Sequence, residues 1–533
     1  RQRQMCIRDR NTRHAFKKDK NNLAVTIFNT LSWGKKFNDI HDVKVLAGYS
    51  YESDDKTEFS GKIEGFLGNE LHELGAGSSN SLADGTSSRS VLMSYFGRVN
   101  YGFKDRYLFE GNFRYDGSSR FAKGNRWGVF PSFSAGWRLS EEEFMKDIPW
   151  IYNLKLRASW GQLGNERIDL FRYVDLMNLD AKYSLNGEIQ SGAAVTAYND
   201  PNITWETTTM TNIGLDASLF NGNLDFSLEY FDKRTSDILR KVTLPQQVGS
   251  LDGPIRNIGE VSNKGFELNL AYRNNIGDFR YEVNGNMTFI KNKIESLKGQ
   301  TIIDGMFILE EGKPIDSFYM LHAIGIFQSE EEIKNSPYQT AATKPGYLKF
   351  EDVNGDGKIT EDDRKICGGV IPKITYGFNI NLGYKNFDLA AFFQGVTDVN
   401  TYGDMIGATP LWFGCGLPEK WVTDAWTPER GTSATLPILT TYEGCLNENF
   451  RTNDFWLRNS SYLRLKNLQL SYNVPASFLK NGVIKRLKIF ANAQNLFTFS
   501  PMKDFDPEKD LKANTFYAYP SVRTYTAGVN VTF

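Results

Sequence analysis

The sequence lacks the features of several common protein classes. Its 533 residues contain no run of about 18 uncharged apolar residues, the minimum for a membrane-spanning helix, so a helical membrane protein is excluded. The net charge of -1 gives no argument for a nucleic-acid partner. The four cysteines show no CxxC spacing and therefore predict neither a disulfide framework nor a zinc cage; they are Cys6, Cys367, Cys415 and Cys445. Cys415 and Cys445 are either a disulfide or two free thiols.

Motifs of catalysis are also missing. Gly357 and Lys358 do not form a phosphate-binding loop, because Ile359 follows the lysine and no glycine precedes at the required spacing. His72-Glu73 lacks the second histidine of a zinc protease, and no Gly-x-Ser-x-Gly motif is present. Carboxylates are plentiful, so their number does not exclude a pair of glycosidase carboxylates. Most of them, however, fall in turns or on polar strand faces. The sequence therefore predicts no enzyme.

Aromatic residues are abundant in a chain that is not strongly apolar. Phe, Tyr and Trp make up 14% of the residues and Gly numbers 47, whereas hydrophobic residues reach only 40% and the mean hydropathy is negative. This balance is typical of a barrel whose residues alternate between lipid, a wet lumen and long loops, with aromatics at the interfaces. A large secreted β-sandwich is the alternative, although it needs fewer aromatics.

The last ten residues show the alternation most clearly. One face of this segment is polar, and the other carries Tyr525, Ala527, Val529, Val531 and Phe533. A lipid-facing strand of an outer-membrane barrel requires this pattern. Similar period-2 patterns recur from Asn22 onward and predict about 16 strands. Short turns alternate with connections such as Gln394 to Asp454, as expected for short periplasmic turns and long extracellular loops. The predicted fold is an all-β, transmembrane antiparallel β-barrel.

Several sequence blocks resemble the SusC/RagA-type TonB-linked outer-membrane proteins. They occur in the order of that family and cover most of the chain after residue 90: RYDGSSRF (114–121), NRWGVFPSFSAGWRLSEE (125–142), LKLRASWGQLGN (154–165), the segment 203–239, IGEVSNKGFELNL (258–270), FEDVNGDGKITEDDR (350–364), the segment 371–395, WTPE (426–429), SSYLRLKNLQLSY (460–472), ANAQNLFTF (491–499) and YPSVRTYTAGVNVTF (519–533).

The resemblance implies a barrel of 22 strands with an N-terminal plug, opened by TonB and capped by a SusD-like lipoprotein. Residues 1–10 match no part of the pattern and are expected to be a non-native segment. Residues 11–533 are expected to be the C-terminal part of the barrel, without the signal peptide, the plug, the TonB-contacting segment and the first strands. Such a fragment is not expected to transport anything alone, since open sheet edges are costly in lipid. In this family a terminal aromatic, here Phe533, resembles the signal for outer-membrane insertion.

Residues 352–363 match a calcium-binding loop of the EF-hand type in its dockerin-like form. Oxygen ligands fall at positions 1, 3, 5, 7, 9 and 12, with a glycine at position 6; the predicted ligands are Asp352, Asn354, Asp356, the Lys358 carbonyl, Thr360 and Asp363. A hydrophilic turn that merely favours Asp, Asn and Gly is the alternative. Calcium would stiffen an extracellular loop here.

Aromatic side chains in the long segment after Gln394 are candidates for stacking on sugar rings. They are Trp412, Phe413 and Trp421. An interfacial girdle or packing within the loop explains the same residues. Trp426 belongs to a family block and is expected to be structural.

The leading functional hypothesis is TonB-dependent import of oligosaccharides across the outer membrane together with a SusD-like lipoprotein. Import of peptides or siderophores is the competing hypothesis within the same class. A secreted glycan-binding β-protein and a membrane-embedded hydrolase represent different classes. Large solutes need a wide lumen with many weak polar and aromatic contacts, which a polar barrel interior supplies.

Overall fold

The computed structural model describes residues 13–68, 70–242, 247, 253–403, 417–440, 449–479, 482–503, 505–509, 511–512 and 520–533. It divides into two compact units. Unit 1 comprises residues 1–135, 159–209 and 235–258, and unit 2 comprises residues 136–158, 210–234 and 259–533. Within the described residues, no helix is long and apolar enough to cross a membrane.

The fold is all-β with few, short helices. The strands are β1 (His14–Phe37), β2 (His41–Glu64), β3 (Ser79–Phe103), β4 (Tyr107–Ser118), β5 (Trp127–Arg138), β6 (Ile151–Asn165), β7 (Leu176–Leu185), β8 (Glu188–Ala197), β9 (Glu206–Leu219), β10 (Leu224–Lys241), β11 (Ile255–Ile276), β12 (Phe279–Ser296), β13 (Ile302–Asp304), β14 (Phe307–Leu309), β15 (Ser317–Leu321), β16 (Ala323–Ile326), β17 (Leu348–Phe350), β18 (Arg364–Gly369), β19 (Ile374–Tyr384), β20 (Phe387–Thr397), β21 (Asn400–Tyr402), β22 (Leu457–Asn459), β23 (Tyr462–Asn473), β24 (Arg486–Phe499) and β25 (Thr524–Thr532). The α-helices are α1 (Glu330–Lys334) and α2 (Glu419–Asp424), and the 3₁₀ helices are Leu74–Ala76, Leu139–Glu141, Glu143–Met145, Glu361–Asp363, Gly431–Ser433, Asp454–Trp456 and Ala476–Leu479.

In unit 1, neighbouring strands follow the order β1-β2-β3-β4-β5-β6. β1 pairs with β2 antiparallel from His14↔Glu64 to Phe37↔His41. The turn between them places Asn38 and Asp39 at positive φ, which these two residue types tolerate better than most. A small core packs beside this sheet and joins three of the family blocks; it consists of Phe121, Phe130, Ile168, Ile203 and Trp205. These blocks are therefore structural in unit 1.

In unit 2, the sheet order is β6-β9-β10-β11-β12-β19-β20-β23-β24-β25. From β11 to β25 every printed neighbour pair is antiparallel. Tight turns at Gly277–Asp278 and Lys385–Asn386 join β11 to β12 and β19 to β20. These are the hairpins that the alternating sequence predicts, because period-2 patterning sets both the strands and the face that each residue occupies.

An inserted lobe, described for residues 302–369, 400–403, 417–440 and 449–459, interrupts the sheet strands of unit 2. It contains a four-stranded sheet, β13-β14-β15-β18, and the pairs β16-β17 and β21-β22. It has two hydrophobic clusters. The first centres on Phe318, Trp421 and Trp456. The second centres on Leu321 and Phe350. Much of the buried apolar core of unit 2 therefore lies in this lobe.

The strands of the unit 2 sheet instead leave large apolar side chains exposed. Phe266 on β11 is 52% exposed, and Val283 and Met287 on β12 are 42% and 43% exposed. Their neighbours in the register continue the same face, as in Leu268↔Met287↔Tyr376. A sheet that keeps its apolar face uncovered requires an apolar surrounding or a partner surface.

Candidate functional site

The opposite face of the unit 2 sheet is lined with side-chain amides. Three adjacent rows cross the strands at directly paired positions: Asn269↔Asn286↔Gly377↔Gln394↔Arg464, then Ala271↔Asn284↔Asn379↔Phe392↔Asn467↔Gln494, and then Arg273↔Glu282↔Asn381↔Ala390↔Gln469↔Asn492. Directly paired side chains on one face lie about 5 Å apart at Cβ, so these rows form a surface on which amides are the most frequent side chains. An amide both donates and accepts hydrogen bonds and carries no charge.

A cavity of about 460 Å³ opens on this face. Five asparagines from four strands line it: Asn153, Asn269, Asn284, Asn286 and Asn379. The volume falls in the range of about 300–1,000 Å³ that is usual for small-molecule sites.

The carboxylates of the cavity are already compensated by protein groups. Asp216 lies 3.1 Å from Arg157 Nε and accepts a hydrogen bond of 2.8 Å from the Ser227 hydroxyl. Asp225 lies 3.2 Å from Arg273 Nη2 and accepts a 2.7 Å hydrogen bond from Ser218. Because the negative charges have partners, the remaining hydrogen-bonding capacity of the cavity is carried by neutral amides, which suits an uncharged polar ligand.

A second cavity of about 620 Å³ lies on the same face and near the short turns. Its lining mixes amides with charged groups, and Arg280 Nη2 lies 3.1 Å from Asp388 Oδ1. Asn473 donates a 2.7 Å hydrogen bond to Asp388 Oδ2. This charged lining distinguishes the second cavity from the first.

At the other end of β23, a buried ion cluster holds residues 505–509 against the polar face. The Arg464 side chain is 4% exposed; its Nη2 lies 2.5 Å from Asp506 Oδ1, its Nη1 pairs with Glu508, and its Nε donates to Thr498 Oγ1 at 2.8 Å. Burial opposes the charge of Asp506, but hydrogen bonds from Arg464 and from backbone N–H groups outweigh it and hold the pKa of Asp506 at about 2.

In unit 1, one face of the sheet carries two rows of aromatic side chains. One aromatic row crosses three strands at His41↔Phe103↔Tyr107, and a second row crosses the same strands at Tyr49↔Tyr95↔Tyr115. The rows are eight residues apart, which is about 26 Å at 3.3 Å per residue. Between the rows this face carries mostly apolar side chains and two glycines, with Tyr101 as the exception; the apolar residues are Val43, Val45, Ala47, Val99, Phe109 and Phe113. The arrangement matches the apolar band of about 25 Å, flanked by aromatic girdles, of outer-membrane barrels.

The unit 1 strands also continue past the second aromatic row. β2 runs from Tyr49 to Glu64 beyond it, and this part carries ion pairs such as Lys56–Asp54 at 2.6 Å and Arg89–Asp55 at 3.2 Å. Charged pairs on a long, exposed strand favour water over lipid. This change in composition is expected where strands extend beyond a bilayer.

The predicted calcium loop is an ordered turn in the inserted lobe. Asp352 accepts hydrogen bonds from the N–H groups of Gly355 and Gly357, at 2.8 and 2.9 Å. Asp363 is buried; burial raises its pKa, but N–H donors led by that of Thr360 outweigh burial and lower it. Ile359 packs in the lobe core, and its N–H donates to the Tyr338 carbonyl at 2.8 Å.

The loop supplies the all-oxygen donors that calcium prefers. The side chains of Asp352, Asn354 and Asp356 each accept a backbone N–H within the loop. In the part of the chain that the structure describes, no three His, Cys, Asp or Glu side chains are arranged as a metal centre. The donor chemistry therefore fits calcium, and binding would require the carboxylates to converge further.

The aromatic candidates for sugar stacking are only partly described. Trp421 is 1% exposed and packs against Trp456, with ring centroids 6.2 Å apart. Its position in the lobe core offers no free ring face to a ligand. Trp412, Phe413, Cys6, Cys415 and Cys445 lie outside the described residues. Trp426 is buried and donates to Gln328 Oε1 at 2.9 Å, consistent with its expected structural role.

Cys367 and His322 are the described residues that most resemble parts of a catalytic site. His322 Nδ1 lies 2.5 Å from Asp454 Oδ2. Burial and the nearby Asp454 carboxylate raise the pKa of the Cys367 thiol to about 12, and the thiol donates to the Lys365 carbonyl at 3.3 Å. A thiol with this pKa is not a nucleophile at neutral pH.

The C-terminal strand has the predicted alternation. β25 pairs with β24 from Gln494↔Thr524 to Arg486↔Thr532. Tyr525, Val529 and Phe533 are exposed by 60–70% on the predicted apolar face. The amide rows, by contrast, were not predicted as a site; their signal is asparagine or glutamine at alternate positions in Asn284 to Asn286, Asn379 to Asn381 and Asn467 to Gln469.

Comparisons with known proteins identify the family. Residues 8–496 match the family described as TonB dependent receptor-like, beta-barrel. The chain belongs to this family of TonB-dependent receptors. It is 33% identical over 536 residues to TonB-dependent receptor P3 of Formosa agariphila, covering 95% of this chain and 52% of that protein. It is 31% identical over 460 residues to TonB-dependent receptor SusC of Bacteroides thetaiotaomicron, covering 84% and 44%.

A solved structure has the same fold. The chain resembles a RagAB peptide transporter structure with a TM-score of 0.81 and 25% identity, over 97% of this chain and 56% of that chain. The predicted SusC/RagA-type resemblance is confirmed. Proteins of this family are outer-membrane β-barrels that transport solutes. The chain spans about half the length of the curated relatives that it matches.

Proposed function

We propose that the protein containing this chain imports neutral oligosaccharides across the outer membrane in a TonB-dependent manner. The observation that carries the proposal is the two-faced sheet of unit 2. One face exposes apolar side chains such as Phe266 and Val283, whereas the other presents polar rows in which neutral amides are the most frequent side chains. A sheet that separates lipid from a water-filled passage for an uncharged polar solute needs one apolar face and one polar face.

The whole protein is proposed to form a closed barrel of 22 strands with a plug, as the SusC/RagA resemblance implies. TonB would act through the plug, and a SusD-like lipoprotein would present the substrate outside. SusC and RagAB relatives support these partners. The exposed terminal Phe533 is proposed to be read by the outer-membrane assembly machinery.

Peptide import is the second candidate. The RagAB structure, described as a peptide transporter, aligns over nearly the whole chain. Side-chain amides hydrogen-bond to peptide groups as well as to hydroxyls. Glycan import is preferred because the carboxylates of the amide-lined cavity are paired within the protein, which suits an uncharged solute. Siderophore import is disfavoured by the compensated charges of the amide-lined cavity.

Uptake by whole cells tests the proposal. We expect uptake of a labelled neutral hexasaccharide to be lost on deletion of the full-length gene, restored by complementation, and lost again on inactivation of TonB. Neighbouring genes for a SusD-like lipoprotein and glycoside hydrolases would agree with a glycan, and peptidase genes with a peptide. Uptake that continues unchanged after deletion would contradict the proposal.

We also propose that the loop 352–363 binds calcium through Asp352, Asn354, Asp356, the Lys358 carbonyl, Thr360 and Asp363. Extracellular calcium modules bind at about 10⁻⁴–10⁻³ M, so we expect saturable binding to the full-length protein in that range. Asp356→Asn should weaken binding at least tenfold. Asp362→Asn is the matched control, because Asp362 is an exposed carboxylate of the same loop outside the ligand set. No binding at millimolar calcium would refute a metal role for this loop.

A further inference from the structure

Each unit carries a row of aromatic side chains where its strands meet the short turns. The row of unit 1 is His41↔Phe103↔Tyr107. The row of unit 2 lies on the apolar face of its sheet and is Phe279↔Tyr384↔Phe387↔Tyr472. Tyr384 and Phe387 are more than half exposed. Rows of this kind mark the level at which lipid headgroups meet the strands of a barrel.

A lysine follows one ring of each row at the start of a short turn. Lys104 follows Phe103 and Lys385 follows Tyr384, and their φ angles are 52° and 51°. This left-handed conformation is uncommon for lysine and easier for asparagine. Each ammonium lies back over its ring: Lys104 Nζ is 5.4 Å from the centroid of Phe103, and Lys385 Nζ is 5.5 Å from that of Tyr384. The same strained turn and the same cation–π contact therefore occur in both units.

No carboxylate neutralises either lysine. Within the described residues, no ion pair joins Lys104 or Lys385 to an acidic side chain. The nearest acidic residues along the chain have other partners: Asp105 pairs with Lys36 at 3.4 Å, and Asp388 pairs with Arg280 at 3.1 Å. Two exposed ammonium groups therefore keep their full positive charge beside the apolar face.

A third lysine reaches the same level from within the apolar face. Lys35 on β1 is directly paired with Val43, and Phe37 is paired with His41, so Phe37 extends the aromatic row of unit 1. Lys35 Nζ lies 5.1 Å from the ring centroid of Phe37. A lysine on an apolar surface extends its stem so that the ammonium reaches the polar boundary. Its direction indicates that the boundary lies at this row.

We propose that Lys104 and Lys385, each with the ring beside it, bind the phosphate group of an anionic phospholipid in the leaflet on the side of the short turns. The proposal rests on the membrane-spanning barrel proposed above and adds a lipid partner on its outer surface. Phosphate oxygens accept hydrogen bonds from the ammonium group. The exposed ring packs against the apolar part of the same lipid. An anionic headgroup is preferred to a zwitterionic one, because a second cation would repel the lysine.

Lipid binding to the purified full-length protein in detergent tests the two sites. Phosphatidylglycerol and phosphatidylcholine are the probes, and native mass spectrometry counts the bound lipids. We expect phosphatidylglycerol to bind the wild type more tightly than phosphatidylcholine. Lys104→Asn with Lys385→Asn should weaken phosphatidylglycerol binding about fivefold, the equivalent of about 1 kcal/mol per lysine, and leave phosphatidylcholine binding within twofold.

The substitutions are chosen so that folding does not confuse the result. Asparagine adopts positive φ readily, so both turns should form, and heat-modifiable gel mobility checks this. Lys104→Arg with Lys385→Arg keeps both charges and should retain the binding. The matched control is Lys123→Asn with Lys344→Asn. Lys123 is exposed in the connection between β4 and β5, and Lys344 Nζ lies 5.3 Å from the ring centroid of Tyr347 in the inserted lobe. This control removes the same charge, and phosphatidylglycerol binding should stay within twofold.

The outcomes separate the lipid sites from the import function. Phosphatidylglycerol binding that is unchanged in the Lys104 and Lys385 asparagine variant overturns the sites and leaves import standing. An equal weakening in the control variant also overturns them, because total charge then explains the effect. Equal binding of the two lipids to the wild type has the same consequence. A wild type without heat-modifiable mobility would overturn the barrel itself, and the lipid sites with it.

Discussion

Arg464→Met should destabilise the full-length protein by about 3–5 kcal/mol. The arginine is almost completely buried, and its removal leaves Asp506 and Glu508 without their main counter-charge. Lys466, 2.7 Å from Glu508, compensates only one of the two carboxylates. We expect unfolding at a lower urea concentration in detergent and faster proteolysis within residues 505–509, which the cluster anchors to β23.

A matched control separates burial from charge. Lys146→Met removes an exposed partner of Glu143, and a surface pair of this kind contributes about 0–1 kcal/mol, so we expect little change in stability. The pH dependence gives a second check. Because the pKa of Asp506 is lowered to about 2 in the folded protein, its contribution is present above pH 4 and is lost as the pH falls from about 4 to 2. Arg464→Met should weaken this acid dependence; equal stability of Arg464→Met and wild type would contradict the assigned role.

The hairpins could be predicted from the sequence because the residue pattern that determines them lies within a short stretch of the chain. Leu268 and Leu270 on β11 and Met287 on β12 alternate with polar residues, and a period of two fixes both the strand and its faces. The same logic predicts β25 and its apolar face. The exposed state of that face follows from composition, since a soluble sheet would cover it.

The inserted lobe could not be predicted in the same way. Its strands β13, β14 and β17 have three residues each, too few to show a period. Trp421 illustrates the consequence, because a tryptophan in a polar segment has the same sequence signature whether it stacks on a ligand or fills a lobe core. Only its packing against Trp456, 35 positions away, distinguishes the two.

The amide-lined site was missed for a related reason. Asn284, Asn379 and Asn467 are far apart in sequence, and each reads as an ordinary polar residue of an alternating strand. Register brings them into one row, and register depends on pairing between distant strands. Whether a strand face is apolar or polar can therefore be predicted from the local sequence. Which side chains lie side by side across neighbouring strands cannot.

The central claim is that one face of the unit 2 sheet contacts lipid and the other contacts water. Adjacent residues of β12 test it directly. Val283 lies on the apolar face between the aromatic positions Phe279 and Phe289, and Asn284 lies on the amide face. A lysine on a lipid-facing position near the middle of a bilayer costs about 2–4 kcal/mol, whereas lumen positions tolerate charge.

The measurement is the free energy of folding of the full-length protein into lipid vesicles, followed by heat-modifiable gel mobility during urea titration. We predict that Val283→Lys lowers this free energy by about 2–4 kcal/mol, and that Asn284→Lys lowers it by less than about 1 kcal/mol. Equal losses for the two variants, or a larger loss for Asn284→Lys, would contradict the assignment of the two faces.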